Sequence, residues 1–255
     1  MLRVRQLHKT YGTGTDAVEA VRDLTMEVRA GEFVCIVGPS GAGKTTLLRC
    51  LSGLSTPTSG TVTLNGAEVT EPPATMASVF QDYSRSLMPW FTVARNVGLP
   101  LYNKVPDPAE RQRRVADSLR AVGLDGFGSR YPWQLSGGMQ QRVAIARGLA
   151  YRPEILLLDE PFASVDAQTR ADLEDLILRI RAETGVTMVL VTHDIDEAVY
   201  LADRVVVLSP RPSVVLATIG VDLPRPRDQL TTKALPRFAE LRTEVMDLIR
   251  TKAVA

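Results

Sequence analysis

The sequence predicts an α/β fold built around a mainly parallel sheet. Four near-continuous apolar runs have the length and the β-branched content of buried strands. They are FVCIV (33–37), ILLL (155–158), TMVLV (187–191) and RVVVL (204–208). Helical stretches follow three of these runs, at 44–52, 166–183 and 194–202. Strands that alternate with helices are typical of α/β proteins, because a parallel pair needs a long crossover between its strands.

Two kinds of segment interrupt this alternation. Residues 10–32 and 59–80 contain short strand-like runs separated by Gly turns, which indicates an added antiparallel β portion. Residues 92–150 have helical patterning throughout, and the piece that starts at Pro108 stops near Gly123. We therefore expect an all-helical insertion within the α/β core.

These segments divide a single domain, residues 1–255, into three parts. They are an α/β core with its antiparallel portion at 1–81 and 151–222, a helical subdomain at 82–150, and a linker with a C-terminal helix at 223–255. An apolar stripe of helical spacing marks that last helix, and it comprises Phe238, Leu241, Val245, Leu248 and Ile249. We expect this stripe to dock on the chain's own core.

Composition and charge narrow the class of protein. The chain has 255 residues, of which 45% are hydrophobic and 23% charged, which excludes collagen-like, disordered and disulfide-scaffold proteins. Thirty basic and 29 acidic residues nearly cancel, and this argues against a protein that mainly coats nucleic acid. The two cysteines, Cys35 and Cys50, are too few for a disulfide framework and indicate a reducing compartment.

The sequence contains no segment that we expect to enter or cross a membrane. Its first residues, MLRVRQLHKTYG, lack the continuous apolar stretch of a signal peptide. The longest apolar runs, such as VTMVLV at 186–191, fall far short of the roughly 20 residues that span a bilayer. If the protein acts at a membrane, another chain must do the spanning.

A phosphate-binding loop follows the first apolar run directly. GPSGAGKTT matches G-x-x-x-x-G-K-[ST], with Lys44 placed to reach the β- and γ-phosphates and the Thr45 hydroxyl placed to bind Mg²⁺. The predicted nucleotide-binding residues are Gly38, Pro39, Ser40, Gly41, Ala42, Gly43, Lys44, Thr45 and Thr46. A plain Gly-rich turn is the alternative. A dinucleotide site is disfavoured because G-x-G-x-x-G does not occur.

Two carboxylates end the second apolar run. Asp159 and Glu160 lie at the C-terminal edge of a predicted buried strand, where ligands of open α/β sheets bind. Asp159 would hold Mg²⁺ and Glu160 would polarise an attacking water. The alternative is an acidic pair that caps the next helix. Lys44 and Thr45 favour the catalytic interpretation.

A second anion cradle is predicted at LSGGMQQR. Ser136 is a good N-cap, while Gly137 and Gly138 occupy first-turn positions where an anion can approach bare N–H groups. One small nucleotide needs one such cradle. The surplus motivates the hypothesis that a nucleotide is shared between two copies of the chain.

Taken together, GPSGAGKT, LSGGMQQR, ILLLDEP, SVD and THD resemble the motifs of the ATP-binding cassette (ABC) transporter ATPases. The resemblance runs from Tyr11 to about residue 227 and implies a P-loop NTPase core. Met139 stands where many relatives have Gln, and Val165 departs conservatively from SALD. The cofactors implied are ATP and Mg²⁺.

The resemblance also implies roles for four further residues. Tyr11 would stack on adenine, and Gln81 would contact Mg²⁺ and the attacking water. Asp166 would lie in the loop that crosses to the partner subunit, and His193 would contact the γ-phosphate. For Tyr11 the alternative is a core tyrosine at a strand end. For Gln81 it is a solvated loop glutamine.

Within the family, SLMPWFTVARNV, EPFASVDAQTR and LPRPRD resemble importer ATPases for nitrate, aliphatic sulfonates and taurine. The resemblance implies a head-to-tail homodimer on the cytoplasmic face of a membrane, with a permease, a substrate-binding protein and no nucleic acid. A groove near Gln81 and 84–90 would receive a permease helix. The alternatives are a soluble ABC-type ATPase that acts on nucleic acid or ribosomes, and a P-loop small-molecule kinase.

Overall fold

The computed structural model of the protein describes residues 1–82 and 86–253. Among them, no helix is both long enough and apolar enough to cross a bilayer. The chain forms two sheets, a set of helices packed on both faces of the larger sheet, and a helical insertion between two of that sheet's strands.

The larger sheet has six strands. They are β3 (Phe33–Val37), β6 (Met76–Val79), β7 (Ile155–Asp159), β8 (Thr187–Thr192), β9 (Arg204–Leu208) and β10 (Val215–Gly220). Their order is β10-β9-β3-β8-β7-β6, and only the pairing of β10 with β9 is antiparallel among the described residues. The four apolar runs form β3, β7, β8 and β9, so the predicted α/β class with a mainly parallel sheet is confirmed.

The smaller sheet is antiparallel, with the order β2-β1-β4-β5. Its strands are β1 (Leu2–Tyr11), β2 (Val18–Val28), β4 (Ser59–Leu64) and β5 (Ala67–Glu68). Residues 59–80 were expected to be antiparallel throughout, but Met76–Val79 pairs in parallel with β7. Most of strand β1 lies outside the segments predicted to be antiparallel, and only its last two residues fall within 10–32, although Leu2 and Val4 alternate with exposed arginines.

The helices are α1 (Lys44–Leu51), α2 (Val93–Gly98), α3 (Pro108–Ala121), α4 (Gly137–Ala150), α5 (Ala167–Thr184), α6 (Ile195–Leu201) and α7 (Pro236–Ala253). Helices α2, α3 and α4 pack against one another, and α4 also contacts β6. Side chains of Thr92, Asp107 and Ser136 cap the starts of these helices.

Alternate residues of β3 point into different halves of the core. Val34 and Ile36 pack with α1 and the smaller sheet, whereas Cys35 and Val37 pack with the helices on the other face. Helix α7 covers part of that second face with Phe238, which is buried. The predicted docking of the C-terminal stripe is confirmed, since Leu241 and Val245 are buried as well, and both cysteines are buried free thiols.

Candidate functional site

The phosphate-binding loop connects buried strand β3 to helix α1. Gly43, the residue before α1, has a φ of +86°, a left-handed conformation that favours glycine. A Cβ at this position would lie 2.7 Å from the Ala20 carbonyl oxygen. The loop therefore has the tight, side-chain-free turn that lets backbone N–H groups approach an anion at the helix N-terminus.

Lys44 is buried inside this loop. Its Nζ donates to the carbonyl oxygens of Gly38 at 2.9 Å and Pro39 at 3.0 Å, and lies 4.0 Å from Glu160 Oε1. Burial lowers the pKa of Lys44, while the Glu160 and Asp159 carboxylates act in the opposite direction. The ammonium is thus a concentrated positive charge at the point where the loop would hold phosphate.

Asp159 and Thr45 form the second element of the site. Asp159 is the last residue of β7 and is buried, and burial raises the pKa of its carboxyl group. The Thr45 hydroxyl donates to Asp159 Oδ1 at 3.3 Å. A hydroxyl and a carboxylate oxygen so close together are the hard oxygen ligands that Mg²⁺ prefers. These residues therefore fit the magnesium site that the sequence predicts.

Glu160 is the point where the other polar side chains meet. Gln81 Nε2 donates to Glu160 Oε2 at 3.2 Å, and His193 Nδ1 lies 3.1 Å from the same oxygen. The Glu160 backbone has a φ of +43°, which costs a non-glycine residue about 1–2 kcal/mol. Its N–H donates to Val191 at 2.9 Å, so the neighbouring strand holds this conformation. Strain of this kind concentrates at functional sites.

The phosphate-binding loop opens onto a cleft of about 430 Å³. Tyr11, Gln81 and Glu160 line it with the loop residues from Ser40 to Thr46. Tyr11 is 42% exposed, and its hydroxyl lies 3.5 Å from Thr46 Oγ1, so its ring borders the cleft as an adenine-stacking residue would. Arg211 also lines the cleft and was not predicted. It follows β9, whose place beside β3 is not visible in the sequence.

Four predicted nucleotide-binding residues, Ser136, Gly137, Gly138 and Asp166, lie away from this cleft. Ser136 caps α4 by accepting from the Met139 N–H at 3.3 Å, and Asp166 caps α5 by accepting from the Thr169 N–H at 3.0 Å. Hydrogen bonds from Thr169 lower the pKa of Asp166. Neither these caps nor Gly137 and Gly138 line the cleft, as far as the described residues show. One chain thus carries the cleft and, separate from it, the glycine-containing N-terminus of α4.

Gly138 has a packing role that the sequence does not reveal. A Cβ at this position would lie 2.4 Å from Thr169 Cγ2, so the glycine lets α4 begin directly against α5. We expect Gly138→Ala to lower the free energy of unfolding by about 1–3 kcal/mol through overpacking. Denaturant unfolding measures this loss.

The double variant Gly138→Ala/Thr169→Ser is the matched control. Serine lacks the clashing methyl group but keeps the hydroxyl that donates to Asp166 at 2.7 Å. Stability should return to near the wild-type value. If the double variant is as unstable as Gly138→Ala, the clash with Thr169 is not the cause.

The loop that carries His193 is braced by a buried carboxyl group. Thr192, the residue directly before His193, donates from its Oγ1 to Glu197 Oε2 at 2.6 Å. Burial, with smaller contributions from Asp194 and Glu174, raises the pKa of Glu197 to about 7. Arg170 Nε lies 3.7 Å from Glu197 Oε1, and its positive charge opposes this shift. The first turn of helix α6 therefore contains a carboxyl group that is neutral over part of the physiological pH range.

This shift predicts a pH dependence of stability. Because the folded-state pKa of Glu197 exceeds its usual 4.5, the unfolded chain ionises first, and stability is lost as pH rises from about 4.5 to 7. Glu197→Gln removes this loss. Relative to wild type, the variant should gain about 1–3 kcal/mol in unfolding free energy between about pH 5 and pH 7.5. An equal difference at both pH values would contradict the assignment.

The predicted permease groove is described only in part. Ser84, with Tyr83 and Arg85, lies outside the described residues. Trp90, at the other end of the predicted segment, is 68% exposed. Gln81, which the prediction places beside this segment, donates to Glu160.

The family model "ABC transporter" matches residues 21–163 of this chain. Over 249 residues the chain is 47% identical to an uncharacterized ABC transporter ATP-binding protein of Methanocaldococcus jannaschii, covering 98% of this chain and 91% of that protein. It is 44% identical over 253 residues to the nitrate import ATP-binding protein NrtC of Synechococcus elongatus. That match covers 98% of this chain but only 38% of NrtC.

Further similarity is found to an aliphatic sulfonates import ATP-binding protein, SsuB, of Bacillus licheniformis. The identity is 42% over 245 residues, covering 96% of this chain and 92% of SsuB. The solved structure of the dimeric ATP-binding cassette MJ0796 bound to ADP and Pi superposes with a TM-score of 0.76 at 33% identity. It covers 87% of this chain and 99% of that one. The chain therefore belongs to the ABC transporter family, as its motifs predicted, and has the cassette fold of that family's ATPases.

Proposed function

We propose that this chain is the ATP-hydrolysing subunit of an importer for a small anion. The observation that carries the proposal is the convergence of Lys44, Glu160, His193 and Gln81 at one end of the cleft, with Asp159 and Thr45 beside them. This set supplies phosphate binding, metal ligands and a base for water in one place. The family membership gives that chemistry its context.

In this proposal, different residues of the chain bind the phosphates, the adenine and the metal ion of ATP. Backbone N–H groups from Gly38 to Thr46 surround the phosphates, and Lys44 turns from the loop carbonyls to the β- and γ-phosphates. The ring of Tyr11 stacks on adenine, a contact worth about 1–3 kcal/mol per base in other proteins. Thr45 and Asp159 would hold Mg²⁺, which would supply positive charge to offset the charge that develops on the phosphate oxygens.

Hydrolysis requires a water aligned with the γ-phosphorus. Glu160 accepts a hydrogen bond from that water and draws off its proton as the new P–O bond forms and the bond to ADP breaks. Gln81 and His193 fix the carboxylate, since both contact Oε2. His193 is 56% exposed, so its ring is free to contact the γ-phosphate from the open side of the cleft.

Two copies of the chain complete each site in this proposal. Ser136–Gly138 of a second copy closes over the ATP held by the first, and Asp166 lies at the same boundary. The separation of this helix N-terminus from the cleft within one chain supports the sharing. The relative MJ0796 is described as a dimer bound to ADP and Pi, which is in keeping with it.

The transported molecule is proposed from the relatives' names. NrtC is named for nitrate import and SsuB for aliphatic sulfonates, and both ligands are small anions. We assign the chain to the cytoplasmic face of a membrane, where it acts peripherally. A permease subunit and, through the complex, a substrate-binding protein are the partners. Residues 84–90 form part of the permease contact.

An assay of phosphate release by the purified chain, alone and reconstituted with its permease in vesicles, tests the proposal. We expect free phosphate in the absence of any acceptor. In vesicles that carry this subunit on the luminal side, we expect uptake of nitrate or a sulfonate that depends on ATP in the lumen. Phosphate that appears on a small-molecule acceptor would favour a kinase. Stimulation by DNA, RNA or ribosomes, without vesicles, would favour a soluble ATPase.

A further inference from the structure

A second cavity lies near the end of strand β3 that is opposite to the phosphate-binding loop. It has a volume of about 630 Å³ and is bounded by the second half of α5, by Gly31 before β3, by Gly185 before β8 and by the segment 225–227. The phosphate-binding loop follows the carboxyl end of β3, whereas Gly31 precedes its amino end. The described linings of the two cavities share no residue.

Four arginines line this second cavity, which we call the arginine cavity. They are Arg179, Arg181, Arg225 and Arg227. Asp203 bonds to both Arg181 and Arg225, and also accepts from the Phe33 N–H at 2.9 Å. Asp175 accepts from the Tyr200 hydroxyl at 2.6 Å. Asp175 lines the cavity and Asp203 lies behind it, so four arginines against these two carboxylates leave two positive charges in excess.

Arg227 has hydrogen-bonding capacity that the described residues do not use. Its Nη1 donates to the Tyr200 carbonyl at 2.6 Å. Its Nε and Nη2 are buried and have no partner within residues 1–82 and 86–253. Burial, followed by repulsion from Arg225, lowers the pKa of Arg227 to about 10. Unpaired donors on a buried guanidinium are costly, and an anion in the cavity would offset the repulsion between Arg227 and Arg225.

The remaining walls of the arginine cavity are apolar. Leu178, Ala182 and Pro226 contribute aliphatic surface to its lining. The volume falls within the roughly 300–1,000 Å³ of small-molecule sites, which pair mostly apolar walls with a few placed polar groups. The wall chemistry therefore suits a ligand that has a short apolar body as well as charge.

We propose that the arginine cavity binds a small organic dianion, such as a short dicarboxylate or disulfonate, at a site separate from the nucleotide. Bidentate pairing with guanidinium groups would hold the two anionic ends. The apolar walls would contact the chain between them. An occupant would join α5, whose first residue follows Asp166, to the segment 225–227 that leads to α7.

Isothermal titration of the full chain tests this proposal, with ADP present so that the phosphate-binding loop is filled. The probes are glutarate, propane-1,3-disulfonate and sulfate, with glutaramide as the uncharged analogue of glutarate, all at constant ionic strength. We expect the two organic dianions to bind more tightly than sulfate and glutaramide not to bind. If neither organic dianion binds more tightly than glutaramide, the proposal is wrong.

Matched variants locate the binding. Arg179→Gln, an exposed residue of α5, and Arg225→Gln should each weaken glutarate binding by about tenfold, since each removes a charge-assisted contact. Arg237→Gln is the control, because this arginine is as exposed as Arg225 (44% against 46%) but pairs with Asp222 outside the cavity. Equal affinity in all three variants would overturn the assignment. Circular dichroism confirms that each variant is folded.

A final variant separates this proposal from the nucleotide chemistry. Lys44→Ala should bind ATP more weakly but keep wild-type affinity for glutarate. If glutarate binding falls with Lys44→Ala, the probe occupies the phosphate-binding loop and the arginine cavity is not its site. Failure of the ATPase proposal would leave the titration unaffected.

Discussion

Replacing Glu160 by glutamine should reduce the rate of phosphate release by about 10²–10⁴-fold while leaving ATP binding intact. Glutamine keeps the shape of the side chain and its contacts with Gln81 and His193, but it no longer accepts a proton from water. Removal of one negative charge 4.0 Å from Lys44 also favours the triphosphate. Bound ATP should therefore accumulate, and with it the closed pair of subunits.

Single-turnover phosphate release and size-exclusion chromatography with ATP and Mg²⁺ measure these two effects. Glu183→Gln, which removes an exposed carboxylate from α5, is the control and should behave as wild type. A Glu160→Gln protein that hydrolyses ATP at near the wild-type rate would remove Glu160 from the reaction. One that stays monomeric with ATP would count against the shared site.

Lys44→Ala should abolish measurable ATP turnover and weaken ATP binding. In the present structure Lys44 holds the loop through the carbonyl oxygens of Gly38 and Pro39, so the variant loses both the phosphate contact and an internal brace. Loss of a charge-assisted contact to phosphate costs about 1.5–3 kcal/mol in binding, and more in the transition state. Equilibrium binding and steady-state hydrolysis separate the two losses.

Lys104→Ala provides a matched control for Lys44→Ala. Lys104 Nζ also donates to two backbone carbonyl groups, those of Ala74 at 2.7 Å and Tyr151 at 3.3 Å, but it lies outside the cleft. Its replacement should leave turnover unchanged. If both lysine variants lose turnover equally, general loss of structure rather than loss of the phosphate contact explains the effect.

The parts of the fold that follow from local patterns were predictable. Continuous apolar runs identified β3, β7, β8 and β9 because a strand buried on both faces needs no polar alternation. The phosphate-binding loop and the carboxylates at the end of β7 were predictable for a related reason, since the fold places them at strand ends whatever the strand order is. Lys44, Gln81 and His193 surround Glu160 because each of them also follows a strand of this sheet.

The remaining features depend on which distant segments become neighbours. Met76–Val79 joins the parallel sheet because β7, which begins far along the chain at Ile155, offers an open edge. Arg211 reaches the cleft because β9 lies beside β3, and Gly138 is needed because Thr169 packs on it. The arginine cavity combines residues of α5 with Arg225 and Arg227 for the same reason. No local pattern in the sequence encodes such contacts.

A pair of hybrid dimers tests the sharing of ATP between two copies most directly. The two lesions are Lys44→Ala in the loop and Gly137→Glu at the N-terminus of α4, where an acidic residue suits the helix but repels phosphate. In one hybrid each copy carries one lesion. In the other, both lesions are in one copy and its partner is wild type. Binding of ATP analogue per dimer is then counted.

If two copies share each ATP, the hybrid with divided lesions keeps one intact site, and the hybrid with both lesions in one copy keeps none. If each copy binds ATP by itself, the result is reversed: the divided hybrid has no intact site and the wild-type copy of the other retains its own. Our account predicts the first result, and the second would contradict it.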